Sequence, residues 1–254
     1  MKKITILFLL ISISLYTSCS SDADPDPGPE TQEFPENIFT GNVTLETQQE
    51  VNEFGANNYT IIEGQVVIGK LFDEDNVSDL TPLIALKEVR LFSLRIHADL
   101  ITSFEGLNNL EKVTGLTIST TQNLINFEGL DNLTTIGNPG ENFRFNIDTN
   151  IALTSFEGLE SLTTLNTTDF IFGNNPVLSS LNGLENVTTL PAVLLGQNAT
   201  CAGSSTTVLC GNPMLTDFCA IQNAVLNTDF VLFSIELNGY NPTLEDFANG
   251  DCSI

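Results

Sequence analysis

Apolar residues on every third position, repeated along the chain, constrain its fold more than any other feature. In Leu153-Thr-Ser-Phe156-Glu-Gly158-Leu159-Glu-Ser-Leu162-Thr-Thr-Leu165 they fall at Leu153, Phe156, Leu159, Leu162 and Leu165. The same triplet pattern runs from Ile101 to Val113, from Leu124 to Ile136 and from Leu178 to Leu190, with a more diverged copy from Val77 to Val89. A period of three fits neither the 3.6 of an α-helix nor the 2 of a strand. It fits a chain that turns a corner about every three residues and sends one side chain inward at each. The second triplet positions, Phe104, Phe127, Phe156 and Leu181, are 23, 29 and 25 residues apart, which is the spacing of a solenoid. Two residues after each of these stands Gly106, Gly129, Gly158 or Gly183, and Pro82 holds that place in the first copy. Glycine or proline there suits a bend in which a Cβ or an N–H would be in the way.

After each triplet run the period becomes two. Leu94-Arg-Ile96, Leu116-Thr-Ile118, Phe143-Arg-Phe145 and Val193-Leu-Leu195 alternate as half-buried strands do. This alternation predicts that Val66, Leu94, Leu116, Phe143, Phe170 and Val193 point inward. Val67, Arg95, Thr117, Arg144, Ile171 and Leu194 would then form one outward column, with Ile171 and Leu194 an apolar end and Arg95 and Arg144 two of the chain's three arginines. Asn150, Asn175 and Asn212 each stand three residues before a triplet run and read as turns closing the coil. One coil cannot stand alone: five buried apolar side chains contribute roughly 10 kcal/mol, whereas ordering about 24 residues costs on the order of 1–2 kcal/mol each. Coils must stack, with a cap at each end.

The pattern Leu-x-x-Phe-x-Gly-Leu-x-x-Leu-x-x-Ile/Leu, followed by a strand and an Asn turn, resembles the L-domains of growth-factor and insulin receptors. It is equally similar to leucine-rich-repeat-like surface lipoproteins of Gram-negative bacteria. The likeness covers about residues 59–225 and includes the leading strand Tyr59-Thr-Ile-Ile-Glu-Gly64-Gln-Val-Val-Ile68. It implies a mainly β, right-handed parallel β-helix of about five or six coils, no catalysis, and a role in binding or adhesion. Loops of uneven length, such as 137–142, depart from the family pattern.

The ends of the chain carry other signals. Met1-Lys2-Lys3 and the short apolar run after it form a signal peptide over residues 1–18. Tyr16-Thr-Ser-Cys19 looks like a lipobox with Cys19 as the lipidated residue, and Ser20 resembles the outer-membrane sorting pattern. Residues 19–40 are acidic and Pro-rich and are expected to form an extended tether. The solenoid then spans 41–254, with an N-terminal cap over 41–58, coils over 59–214 and a C-terminal cap over 215–254. Thr47-Gln-Gln-Glu50 is a capping box opening a short helix. Helix-like Ala224-Val-Leu226, a strand over 230–235 and a short helix with Pro242 in its first turn make up the far cap.

Beyond Cys19, four cysteines remain, and in an oxidising compartment they pair. Cys201–Cys210 and Cys219–Cys252 are the expected disulfides, among three possible pairings. No Cys-x-x-Cys supports zinc, and no metal or other cofactor is expected. Asp73-Glu-Asp-Asn76 lacks the order of a calcium loop and reads as a solvated turn. The Asn-x-Thr/Ser sequons read as turn asparagines and strand threonines.

The formal charge is −24, with 32 acidic and eight basic residues. Beyond Lys2 and Lys3 the basic residues are Lys70, Lys87, Arg90, Arg95, Lys112 and Arg144. Such a surface excludes nucleic acid and anionic lipid as partners, leaving the N-terminal lipid as the only membrane contact. An enzyme would have to use His97, the single histidine, which reads as a surface position on a strand. A β-helix acting on polysaccharides would need a basic or aromatic cleft, and the chain has three tyrosines and no tryptophan. An ice-binding face would need a Thr column, which Arg95, Arg144, Ile171 and Leu194 interrupt. The reading is a non-catalytic, lipid-anchored module of the outer-membrane surface that binds a protein or glycan, with Arg95, Arg144, Ile171 and Leu194 as contact residues. The competing class is a passive spacer of the cell envelope.

Overall fold

All five side chains of every triplet run lie in the core, none more than 5 % exposed. The computed structural model of the chain describes residues 33–71, 76–195, 211–230 and 232–254. The signal peptide, Cys19, most of the tether, Asp73–Asp75 and the Cys201–Cys210 pair lie outside the described residues. From Phe34 onward the chain coils into a mainly β solenoid of about six turns.

Every pairing between its strands is parallel. Two sides of the coil are sheet. The first side stacks β1 (Ile38–Thr40), the start of β3 (Ile61–Gly69), the start of β4 (Glu88–His97), β5 (Lys112–Val113), β7 (Thr135–Gly137) and β9 (Thr164–Asn166). The second side stacks β2 (Val43–Leu45), the ends of β3 and β4, β6 (Leu116–Ser119), β8 (Arg144–Asp148), β10 (Asp169–Gly173), β11 (Ala192–Leu195) and β12 (Phe233–Ile235). The triplet corners close the coil and stack through backbone bonds, as from Phe104 N to Glu128 O at 2.7 Å and from Phe127 N to Glu157 O at 2.7 Å. Inside, Phe104, Phe127 and Phe156 form a column with ring centroids 5.6 and 4.9 Å apart. Such offset contacts add to the area term that each buried ring contributes.

The asparagine turns do more than turn. Asn150, Asn175 and Asn212 are fully buried. The Asn150 Nδ2 donates to Asn175 Oδ1 and the Asn175 Nδ2 to Asn212 Oδ1, both at 3.1 Å, and Asn212 Nδ2 donates to Asn238 Oδ1 at 2.9 Å. Backbone amides of Asn150 and Asn175 join the same acceptors. At the start of the row, Thr121 donates its hydroxyl to Asn150 Oδ1 at 2.8 Å. A column of amides thus satisfies the polar groups that the tight turn buries.

At the N-terminus, α1 (Gln48–Gly55) carries the expected capping box, with Thr47 and Glu50 bonded reciprocally. The Thr47 hydroxyl and the neighbouring backbone amides hold the Glu50 carboxyl below its usual range. Because folding depresses that pKa, the cap's contribution is present above the ordinary carboxylate range and is lost as pH falls through the depressed value. The stability gap between wild type and Glu50→Gln, read from urea melts across pH, should therefore close on acidification. The tether ends earlier than expected: Ile38–Thr40 is strand paired to Ile61–Glu63, and the Asn37 amide donates to Thr60 Oγ1 at 2.9 Å. The apolar Ile38 and Phe39 explain this, since Phe39 packs against Phe54 and Tyr59.

The C-terminal cap consists of α2 (Gln222–Leu226), β12 and α3 (Leu244–Asn249). The strand expected over 230–235 is reduced to Phe233–Ile235, the part that pairs with β11. Thr243 is the N-cap of α3 and Asp246 completes a second capping box, so Pro242 precedes the helix rather than lying in its first turn. Cys219 and Cys252 are joined, as expected, tying the last coil to the C-terminus. For a loop of 33 residues, chain entropy gives about 4 kcal/mol. The Cys219→Ser/Cys252→Ser double variant should lose roughly that in urea melts, if the unfolded chain is otherwise unchanged.

Candidate binding groove on the second side

The corner between the two sheet sides varies in length from coil to coil. Between the last triplet residue and the first inward strand residue, Val113 to Leu116 leaves room only for Thr114 and Gly115, whereas Val89 to Leu94 and Ile136 to Phe145 enclose longer inserts. The short corner therefore lies in a dip between two raised ones. Gly115 deepens it: a Cβ there would stand 3.0 Å from the Phe143 Cβ and 3.2 Å from the Ser93 Cβ.

The insert in β4 takes the form of a bulge. Gly64 pairs with Leu91 and Val66 with Leu94, so three steps on β4 match two on β3. Leu91 sits in the left-handed region at φ 72°, and Leu91 and Phe92 are 56 % and 50 % exposed. Two large apolar side chains held outward by a strained backbone mark a site to be explained by function.

The resulting groove has a volume of about 430 Å³. Phe92 and Phe143 line it together with Arg95, Thr117, Asn146 and Ile171, and Gln65, Ser93, Asn142, Arg144 and Asp148 complete the lining. Arg95, Thr117, Asn146 and Ile171 are in register on four neighbouring strands, β4, β6, β8 and β10. Thr117, Asn146 and Gln65 have no side-chain hydrogen bond among the described residues. The Arg95 Nε donates to Ser93 Oγ at 3.2 Å.

Three of the four expected contact residues are thus brought together, with one correction of register. Phe145, fully buried, occupies the inward position, and Phe143 lies half-buried at the corner. The outward column therefore runs Val67, Arg95, Thr117, Asn146, Ile171. Arg144 is outward too, but it pairs across the sheet with Asp169, their side chains 3.0 Å apart, and reaches the groove from its rim. The alternation Phe143-Arg-Phe145 offers two registers, and the buried ring of Phe145 between Leu116 and Phe170 decides for the second. Leu194 is on β11 next to Ile171, and its side chain lies outside what the structure describes. Phe92, Gln65 and Asn146 were missed by the sequence reading; unequal corner lengths were the signal that could have found them.

The first side differs in its charges. Arg90 pairs with Glu88 at 2.8 Å and with Glu63 at 3.8 Å, and Lys112 with Glu88 at 3.8 Å. The Glu88 hydrogen bond holds the Arg90 guanidinium above its usual range. A depression of about 380 Å³ on that side is lined by Glu36, Lys87, Glu88, Glu111 and Lys112, one charge negative in balance. His97 is buried rather than at the surface, its Nδ1 2.8 Å from the Ser119 Oγ, and it does not line the groove. It stands at the end of β4, in register with Gly69, where its ring is buried against Ser119. Among the described residues, no group of three His, Cys, Asp or Glu is placed to hold a metal ion, and no helix is long and apolar enough to cross a membrane. No family model matches the chain, and neither curated proteins nor solved structures give a match to it.

Proposed function

We propose that this chain is a non-catalytic binding module of the cell surface, anchored by lipid at Cys19, that takes a protein or glycan partner on the second side of its solenoid. The observation that carries this is the groove. There, Thr117, Asn146 and Gln65 make no side-chain hydrogen bond among the described residues and stand beside the exposed Phe92 and the half-buried Phe143, whereas on the first side Arg90 and Lys112 are paired with neighbouring carboxylates. Broad, rigid sheet faces of stacked coils suit partner contact, because little conformational entropy is lost on binding. The lone histidine is held inside the coil against Ser119, which suits a structural role better than a base.

Two experiments test the reading. Pull-down and glycan-array binding with the full chain should return a partner that Phe92→Ala weakens; binding unaffected by that change would place the site elsewhere. Metabolic labelling with a palmitate analogue should mark the wild type and not Cys19→Ala, and an unlabelled wild type would refute the lipid anchor.

A further inference from the structure

We propose that the groove takes a saccharide unit bearing a carboxylate, with Arg95 as the residue that binds the carboxylate. This rests on the groove being the binding site and names the class of ligand. The chain carries a formal charge of −24, yet the charged residues lining the groove are Arg95, Arg144 and Asp148. Arg144 is already paired with Asp169. Asp148 accepts a hydrogen bond from Asn174 Nδ2 at 3.3 Å. Arg95 is exposed and makes no ion pair among the described residues, its Nε resting on the Ser93 hydroxyl. A guanidinium so placed offers a planar fork that a carboxylate fits in two parallel hydrogen bonds. The acidic field of the rest of the molecule repels a polyanion. A single carboxylate on an otherwise neutral body meets far less of it.

The remainder of the lining fits a sugar ring. Thr117 and Asn146 are in register on adjacent strands, about 4.8 Å apart, and neither side chain has a protein partner among the described residues. With Gln65, at the bulge on the β3 side of the groove, they offer hydroxyl and amide groups, each able both to donate and to accept, which matches neighbouring sugar hydroxyls. Phe92 and Phe143 supply aromatic surface for the apolar C–H face of the ring. The volume falls within the roughly 300–1,000 Å³ of small-ligand sites. An acidic peptide would satisfy Arg95 but would leave much of the amide and hydroxyl lining without partners.

Calorimetric titration of the full chain tests this with a galacto-oligosaccharide ending in a single galacturonate, a sialyl-lactose, the carboxyl-reduced counterpart of each, and an Asp-rich peptide. One or both acidic saccharides should bind, at least tenfold more tightly than the reduced form, and which of them binds identifies a uronate or a sialate as the source. Arg95→Gln should abolish that tenfold preference with the melting midpoint unchanged, while Phe92→Ala weakens acid and reduced forms alike. Equal binding of acid and reduced forms that Phe92→Ala still weakens would overturn the carboxylate claim and leave the groove. Binding of the peptide alone, or of nothing, would overturn the saccharide claim. Saccharide binding untouched by both variants would overturn the groove itself.

Discussion

Asn175→Ala should cost about 4 kcal/mol or more in urea melts, a large share of the roughly 5–15 kcal/mol that holds a folded protein together. The Asn175 side chain is fully buried and uses its whole hydrogen-bonding capacity. It donates to the Ile147 carbonyl and to Asn212 Oδ1, and it accepts from the Asn150 amide at 3.0 Å and the Asn150 Nδ2 at 3.1 Å. Truncation strands polar groups of the coils on both sides, and each unsatisfied buried group costs about 1–3 kcal/mol. Asn241, exposed at the far end of the row where it accepts from the Asn238 Nδ2 at 3.3 Å, should cost less when changed to Ala, because water can replace what it offers. Equal losses at the two positions would show that the amides act singly rather than as a column.

Gly158→Ala should be at least as damaging, at about 4 kcal/mol or more from backbone strain and overpacking together, and the variant is expected to unfold near room temperature or to express poorly. The residue has φ +101°, which an L side chain rarely adopts, and its missing Cβ faces the backbone carbonyl of Phe127 in the coil below. Backbone cannot rotate away as a side chain can. The two coils would have to part, loosening the bond from Phe127 N to Glu157 O. Gly106, Gly129 and Gly183 stand in the same relation to Leu80, Phe104 and Phe156. Gly140, on a corner loop with nothing within 4 Å of its Cβ position, is the contrasting site at φ +81°. There Ala should cost only the backbone term, about 1–2 kcal/mol. A Gly158→Ala variant as stable as Gly140→Ala would refute the close stacking of corners.

Which parts of this molecule the sequence reveals follows from how locally each is determined. The triplet core is legible because every inward residue lies at a fixed step from the next, and the glycine two residues after the second step marks the corner. The turn asparagines are visible by their spacing, but their burial is not, since it depends on the coil above and the coil below. Strand register failed where a corner insert preceded an ambiguous alternation, at Phe143-Arg-Phe145. There the packing of Phe145 against neighbouring strands outweighs local pattern. For the same reason the sequence places Arg95 and Ile171 on one face and marks a longer corner after Val89, but not that Phe92 is the exposed residue of it, because that exposure comes from a bulge formed only against β3. Exposed acids along the triplet corners also carry structure: Glu160 accepts from the Gly158 amide at 3.0 Å and Glu185 from the Gly183 amide at 2.9 Å, so part of the negative charge caps the bends.

The central claim is that the second side, not the first, meets the partner. Its most direct test is a comparison of one charge reversal and one polar replacement in the groove, Arg95→Glu and Ile171→Asp, with a matched reversal on the first side, Lys112→Glu. Affinity for the captured partner is measured beside the melting midpoint of each variant. Both groove variants should lose at least tenfold in affinity with unchanged melting midpoints, and Lys112→Glu should bind as the wild type does. Full affinity in the groove variants, or a loss confined to Lys112→Glu, would contradict the claim.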